Sequence, residues 1–448
     1  MNIVEAYQKK LAISEKVYAK EHGGRALNES KKIAIARVLA NTSEYITEAF
    51  DGTTATQLAN MKTFKKFCLD LTTVALPSLI ANDLVIVFPL KSRTGYIQYL
   101  QFAAGSDKGG VAQGDLFNDP FRLGQITDER VNYPAAKVVE TIAEGQKELS
   151  WGPVVAGSVE KCVAAVEADE DAGTEAVPAH WETVKGEYTP VAGDKVRYEY
   201  DNVVIPQDKI PTLTARMNGI ELAAKARRIA VYYSQMAAFQ AKTEMGIDLG
   251  EILATQACAE LSYEIDTEVV KMLVDNATAY ADLTWNKACP VGVSKRDHYA
   301  GFAEVIETAS QHIYDATQKH AANYMIIASN IKPVLAMMEG WKAASTAKMN
   351  GPYYAGEING IKVYVSPAIK AGKYVLGYNG GDMITSAAVY APYMAIVPTQ
   401  LLGFADGTQS QGFSTLYDLK LLNPALLVAG EVVNTTPAFD AVHGVAQA

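Results

Sequence analysis

Between Asp248 and Leu273 an apolar residue recurs at every fourth position, at Leu249, Leu253, Ala257, Leu261, Ile265, Val269 and Leu273. That interval keeps one face of a helix apolar. Asp248 and Glu251 have the spacing of a capping box, and Ile247 and Ile252 flank the cap as a hydrophobic staple would. The pattern predicts a helix of about 25 residues, roughly 38 Å long at 1.5 Å per residue, which is enough to span a domain.

Residues 1–60 carry a narrower stripe at helical intervals, formed by Ile33, Ile35, Val38, Leu39, Tyr45, Ile46, Ala49 and Phe50. HGG (22–24) and DGTT (51–54) interrupt it, so the segment reads as an arm of short helices. Periodicity alone leaves two docking sites open, a neighbouring subunit or the arm's own domain. Pro77 stops the helical pattern of 61–75, and LVIVFPL then leads through Thr94-Gly95 to YIQYLQF, which predicts a hairpin or strand pair. From Ala103 to about Ala143 the chain turns rich in Gly, Asp and Asn, an excursion of the kind that serves function or interaction. Within 140–205, Val196, Tyr198 and Tyr200 alternate after a Gly-Asp turn and predict a small all-β module.

From His298 to His320 a second amphipathic helix leads into YMIIA, a short, wholly apolar strand. Ser329-Asn330 is a cap candidate for the next helix, with Pro333 in its first turn. A strand between helices, followed by many short strands, gives an α+β fold with a mixed sheet. Residues 425–448 lose periodicity and read as a surface tail.

At 448 residues the chain is long enough for two to four domains or subdomains. Apolar residues at 49% and charged residues at 20% exclude a disordered or collagen-like chain. A formal charge of -10 argues against gripping nucleic acid through the overall field. Cys68, Cys162, Cys258 and Cys289 lie far apart with no paired spacing and read as reduced core residues. The first residues lack the apolar run of a signal peptide, and no segment approaches a membrane span, so a protein made and assembled in cytoplasm is expected.

The candidate chemistry is sparse. Gly109, Gly110 and Gly114 do not make a dinucleotide fingerprint, and Gly372-Lys373 lacks the rest of a phosphate loop. His298, His312 and His320 lie near Glu304 and Glu307 without the paired spacing of a helical metal site, and read as solvated or interface residues. The acidic run Glu167, Asp169, Glu170, Asp171 lacks the alternating ligands of a calcium loop. Ser310 and His312 occur without a nucleophile elbow. No cofactor, metal or catalytic residue is expected. The densest positive patch is Lys225, Arg227 and Arg228, with Arg216 upstream; it reads first as a solvated face, second as ion-pair contacts with acidic groups of a neighbouring subunit, and third as a nucleic-acid contact, since the adjacent Tyr232 and Tyr233 are as easily core as stacking platforms.

The last quarter of the chain holds ANYMIIASN (322–330), NGIKVYVSP (359–367), YVLGYNG (374–380), VYAPYMAIVP (389–398) and GFSTLYDLKLLNP (412–424) in close succession. With PSLIAND (77–83) and GIDLGEILATQACAELSYEID (246–266), this collinear series resembles the major capsid protein of contractile-tailed, T-even-like bacteriophages. The resemblance covers about half the chain; no single segment is diagnostic, but the collinear series is specific.

The resemblance implies a Hong Kong 97-type tailed-phage capsid fold, α+β, with a long spine helix, mixed sheets, an extended loop and a small all-β insertion domain. Its implied divisions are an N-terminal arm at 1–60, peripheral domain at 61–94, extended loop at 95–147 and β insertion domain at 148–203. The peripheral domain with its spine helix resumes at 204–291, the axial domain spans 292–385, and return strands with a C-terminal tail occupy 386–448. It also implies self-assembly into hexamers and pentamers of an icosahedral head around double-stranded DNA bound without sequence specificity. Scaffold, portal and decoration proteins are the implied further partners, with no membrane. An encapsulin-type nanocompartment shell shares the fold and is the alternative; an enzyme on an α+β scaffold is the reading from a different class. Lys225, Arg227, Arg228, Lys108, Asp115 and Asp119 are the candidate inter-subunit contacts. Leu27-Asn28-Glu29 resembles a maturation-protease site of family members, a match expected by chance for three loosely specified residues. Neither Lys108 nor Asn118 aligns with a crosslinking site.

Overall fold

A computed structural model describes residues 3–49, 55–106, 113–114, 137–163, 180–201, 210–290, 292–317, 320–344, 351–382, 385–399 and 401–434. The chain divides into two compact units, one made of residues 1–97, 120–122 and 220–448 and the other of 98–119 and 123–219.

The larger unit is organised by the predicted long helix, Leu249–Asp275. Its stripe is buried at Ala257, Leu261, Ile265, Val269 and Leu273. Asp248 accepts from the Gly250 N–H at 3.0 Å, so the expected cap forms. Ile247 and Ile252 stay 37% and 49% exposed instead of closing a staple. The two halves of the helix enter different cores. Ile265, Val269, Val270 and Leu273 join the large core, while Ala254, Ala257, Cys258 and Leu261 pack with Ile396 and Phe413 in a smaller one.

The large core is built on a seven-stranded mixed sheet. YMIIA forms its strand Tyr324–Ala328, buried at every position, parallel to Ile361–Ser366 and antiparallel to Lys373–Gly377. A strand flanked on both sides and covered on both faces has no polar side, which is why its sequence has none. Asn359 and Gly360 both adopt positive φ and join Tyr353–Ile358 to Ile361–Ser366 as a tight hairpin. The amphipathic helix is broken at Gly301 into Lys295–Ala300 and Phe302–Thr317, the latter burying Phe302, Ile306, Ala309 and Ile313. The expected cap at Ser329-Asn330 is displaced: the next helix, Lys332–Leu335, starts after Ile331, and Asn330 instead accepts from the Gly372 N–H.

Two expectations change. LVIVFPL does not pair with YIQYLQF: Ile86–Val87 runs parallel to Ala388–Pro398, and Phe88 and Leu90 donate to the Tyr390 and Pro392 carbonyls. Thr94–Ala104 pairs instead with Leu213–Ala223. An apolar run gains more from a buried sheet than from a turn partner half exposed to water. Likewise 425–434 is no tail, because Leu427–Val433 lies between Lys373–Gly377 and Thr278–Asn286 in the large sheet. Residues 435–448 lie outside the described residues.

The second sheet of this unit contains Ile86–Val87, Ala388–Pro398, Thr408–Leu421, Leu402–Gly403 and Lys225–Ser234. The N-terminal helices Gln8–Glu21 and Glu29–Ala49 pack within the same unit: Ile35 and Leu39 share a cluster with Leu11, Tyr18 and Leu69, and Val38 enters the large core. Asn41 donates to the carbonyls of Leu90 and Tyr393. Within the single chain the described N-terminal helices thus pack on their own unit.

The smaller unit contains the expected β module. Its four strands are ordered Lys137–Thr141, Lys195–Glu199, Glu160–Val163, His180–Thr183. Val138, Ile142, Trp151, Val196, Tyr198 and Tyr200 fill its core. The first strand comes from within the segment expected to be extended loop.

Candidate assembly surfaces

The sequence-selected basic cluster falls on the strand Lys225–Ser234. A strand sends alternate residues to opposite faces, so Arg227, Ile229 and Val231 face the long helix while Arg228 and Tyr232 face away. Arg227 is half-buried, donates to Glu268 at 2.6 Å and to the Tyr417 hydroxyl at 3.4 Å, and lies 3.8 Å from Glu264. Those hydrogen bonds and charges raise its pKa. Its role in this chain is to tie the strand to the spine. Lys225 and Arg228 are exposed, and Arg216 falls in the other unit, exposed beside Gly114. Lys108, Asp115 and Asp119 lie outside the described residues.

Among the described residues, the side chain with the most hydrogen bonds is one that periodicity did not select. Asp83, 4% exposed, follows the apolar run SLIAN and accepts five hydrogen bonds. Tyr18 and Lys31 donate to Oδ1 at 2.5 and 2.8 Å, and His22, Arg25 and Tyr364 to Oδ2 at 2.8, 3.2 and 3.0 Å. Four of the five donors belong to the N-terminal helices and their connection. The other His22 nitrogen faces the Pro77 carbonyl at 3.1 Å, so both ring nitrogens meet acceptors. Burial opposes the Asp83 charge, but the His22 hydrogen bond and the charges of His22 and Lys31 outweigh it and hold the carboxyl well below its usual range. Burial and the Arg25 charge push nearby Lys362 down. The cluster is an ionic anchor for the arm; in the sequence Asp83 is the acid that closes the PSLIAND segment between two apolar runs.

A cavity of about 560 Å³ lies beside this anchor, lined by Val17, His22, Leu71, Cys258, Tyr263, Asp266 and Tyr354 among others. Asp266 projects from the long helix and accepts from the Ala81 N–H at 3.1 Å. Burial without a paired cation pushes it up to about 7. Burial also pushes the Cys68 and Cys258 thiols up to about 12.

The three selected histidines do not converge. His298 stacks on Trp285 and meets the Asn286 carbonyl at 2.8 Å, His312 stacks on Tyr280 and meets Asp282 at 2.6 Å, and His320 stacks on Tyr378. They are local packing elements of their own chain. Among the described residues no group of three or more His, Cys, Asp or Glu side chains could hold a metal ion, and no helix is long and apolar enough to cross a membrane. The acidic run 167–171 lies outside the described residues.

Comparison with known proteins supplies the class. The family model "Major capsid protein Gp23" matches residues 61–440, which makes this a structural protein of the phage capsid shell. The chain belongs to the Gp23 major capsid protein family. The major capsid protein of Enterobacteria phage T4 is 23% identical over 399 residues, covering 78% of this chain and 73% of its own. Among solved structures, one from Microbacterium phage Oxtober96 covers 80% of this chain and 91% of its own at 11% identity, with a TM-score of 0.38. The capsid of Myoviridae phage XM1 covers 70% and 90% at 9% identity and a TM-score of 0.34.

Proposed function

We propose that copies of this chain assemble in the host cytoplasm into hexamers and pentamers of an icosahedral head around double-stranded DNA. Scaffold, portal and decoration proteins serve as further partners, and no step of catalysis is involved. The observation that carries the reading is the family match over residues 61–440. The long helix supports it: braced in two cores, it gives each copy a stiff wedge about 40 Å long. Many individually modest contacts between such wedges then add up over a closed lattice.

Within this reading 95–147 acts as the extended loop toward a neighbour, 148–203 as an outward brace and 292–385 as the domain around the symmetry axes. Lys225 and Arg228, with Lys108, Asp115 and Asp119 on the loop, supply charged rim contacts that set register more than affinity. The test is electron microscopy and sedimentation of the overexpressed chain, alone and with its neighbouring genes, beside a variant lacking 105–119. Closed shells or capsomer rings from the full chain, and only folded subunits from the deletion, are expected. Nucleic acid inside the shells separates a phage head from a compartment for protein cargo. Normal shells from the deletion would overturn the loop assignment.

A further inference from the structure

The cavity beside the arm's anchor has the build of a ligand site. At about 560 Å³ it lies within the roughly 300–1,000 Å³ of small-molecule pockets. Its lining changes character from the buried end to the mouth. Asp266, 7% exposed, stands at the buried end with His22. Leu71, Ala75, Ile80 and Cys258 supply an apolar wall, and the exposed Glu260 and Tyr263 stand at the mouth.

Asp266 is the residue that folding alone explains least. Its hydrogen-bond partners are backbone groups, the Ala81 N–H at 3.1 Å and the backbone at Ile80, and among the described residues no side chain donates to it. A buried carboxyl costs free energy unless it is paired, and an uncharged side chain of the same shape would serve the Ala81 N–H as well. The charges around it are one-sided. Glu21 comes from the arm helix and Glu260 from the long helix, where it accepts from Gln256 at 2.8 Å. The helix Ala55–Ser78 contributes Leu71, Val74, Ala75 and Ser78, none of them titratable, and residues 351–354 contribute Tyr353 and Tyr354. Among the described residues no lysine or arginine lines the cavity. The cations nearest to it are engaged elsewhere: both His22 nitrogens face Asp83 and the Pro77 carbonyl, Arg25 lies over Tyr354 and bonds Asp83, and Lys332 donates to the Tyr353 hydroxyl.

We propose that the cavity is a binding site for an aliphatic diamine, with one ammonium on Asp266, the other on Glu260 and the carbon chain along Leu71, Ala75 and Cys258. The two carboxylates are six residues apart on one helix, roughly 9 Å along its axis at 1.5 Å per residue, a separation within reach of two ammonium groups on a short alkyl chain. The amine enters as its ammonium, and the proton that burial holds on Asp266 up to about pH 7 passes to solvent. Carboxylates held apart by an apolar wall do not converge on a single metal ion, whereas they match a molecule charged at both ends and apolar between. The site lies within one copy of the chain and stands independently of the shell reading.

The experiment titrates 1,5-diaminopentane into the full chain by isothermal calorimetry. Pentylamine, and sodium chloride at matched ionic strength, are the comparisons, because a chain of formal charge -10 attracts any cation weakly. Saturable binding at one site per chain is expected, with the diamine about tenfold tighter than pentylamine or more. Asp266→Asn, which keeps an oxygen for the Ala81 N–H, is expected to weaken both amines about tenfold or more. Glu260→Gln, at an exposed position, is expected to keep the parent's melting temperature, to bring the diamine down to the affinity of pentylamine and to leave pentylamine unchanged. If Asp266→Asn does not fold, Glu260→Gln decides alone. Heat that never saturates, or that the matched salt reproduces, overturns the proposal in favour of loose surface attraction. Equal affinity for the two amines in the parent chain, or diamine binding that survives Asp266→Asn or Glu260→Gln unchanged, overturns it as well. Each of these outcomes leaves particle formation, and with it the shell reading, to its own test.

Discussion

Around the C-terminal half of the long helix, Val269, Leu273, Phe302, Ile313 and all of Tyr324–Ala328 are buried, and Asp83 near that core is met by five donors. Around its N-terminal end, Tyr232, Met236 and Phe239 are two-thirds exposed. One helix thus connects a region whose apolar side chains are covered to one where several stand in water. The difference separates folding from assembly: substitutions at the first end should act on the subunit, and those at the second on the particle.

The largest effect is expected at Asp83. Asp83→Ala leaves Lys31, Arg25 and His22 around an empty site, and removing one partner of a buried ionic cluster costs about 3–5 kcal/mol, read by chemical denaturation. Because the folded carboxyl lies below its ordinary value, its stabilisation is present above about pH 4 and is lost as pH falls toward the folded value. Acid unfolding of the parent chain should therefore release the N-terminal helices, a change visible by limited proteolysis. Next, Ile326→Ala in the fully buried strand is expected to cost about 2–5 kcal/mol.

Asp266 has the opposite sign. Its proton is held up to about pH 7 in the folded chain, so stability declines as pH rises from about 4 to 7, by roughly 1.4 kcal/mol for each pH step of one. Asp266→Asn keeps an oxygen for the Ala81 N–H and removes that loss. Its melting temperature should exceed the parent's at pH 8 and match it near pH 4; an equal gain at both would break the link to ionisation. Arg227→Ala, at a half-exposed pair, should cost about 0.5–1 kcal/mol in the subunit. The smallest effect is expected from Met236→Ser, within about 0.5 kcal/mol, because in the free subunit that side chain is mostly in water.

What was legible in the sequence follows from how far each signal reaches along the chain. The long helix, YMIIA and the β module could be read because periodicity over 5 to 27 residues reports burial directly. The partner of LVIVFPL could not, since pairing with residues 389–392 depends on a contact some 300 positions away. Leu427–Val433 was missed because its buried positions Val428, Gly430 and Val432 include a glycine, under Tyr374, and its other face carries Ala429 and Val433, so the alternation in burial leaves no apolar alternation in the sequence. Arg227 was selected for its charge, but its partners Glu264 and Glu268 sit on another element and only the fold brings them together. The apolar tip was hidden for the reverse reason: Met236, Phe239 and Met245 look like core residues in a sequence, and only their exposure marks them as a surface.

The most direct test of the contrast is hydrogen exchange measured on free subunits and on assembled particles of the same chain. Residues 324–328 should be equally protected in both, while 232–245 should exchange quickly in the subunit and become protected in the particle. Equal exchange of 232–245 in the two states would contradict the division between an end of the helix that serves folding and an end that serves assembly.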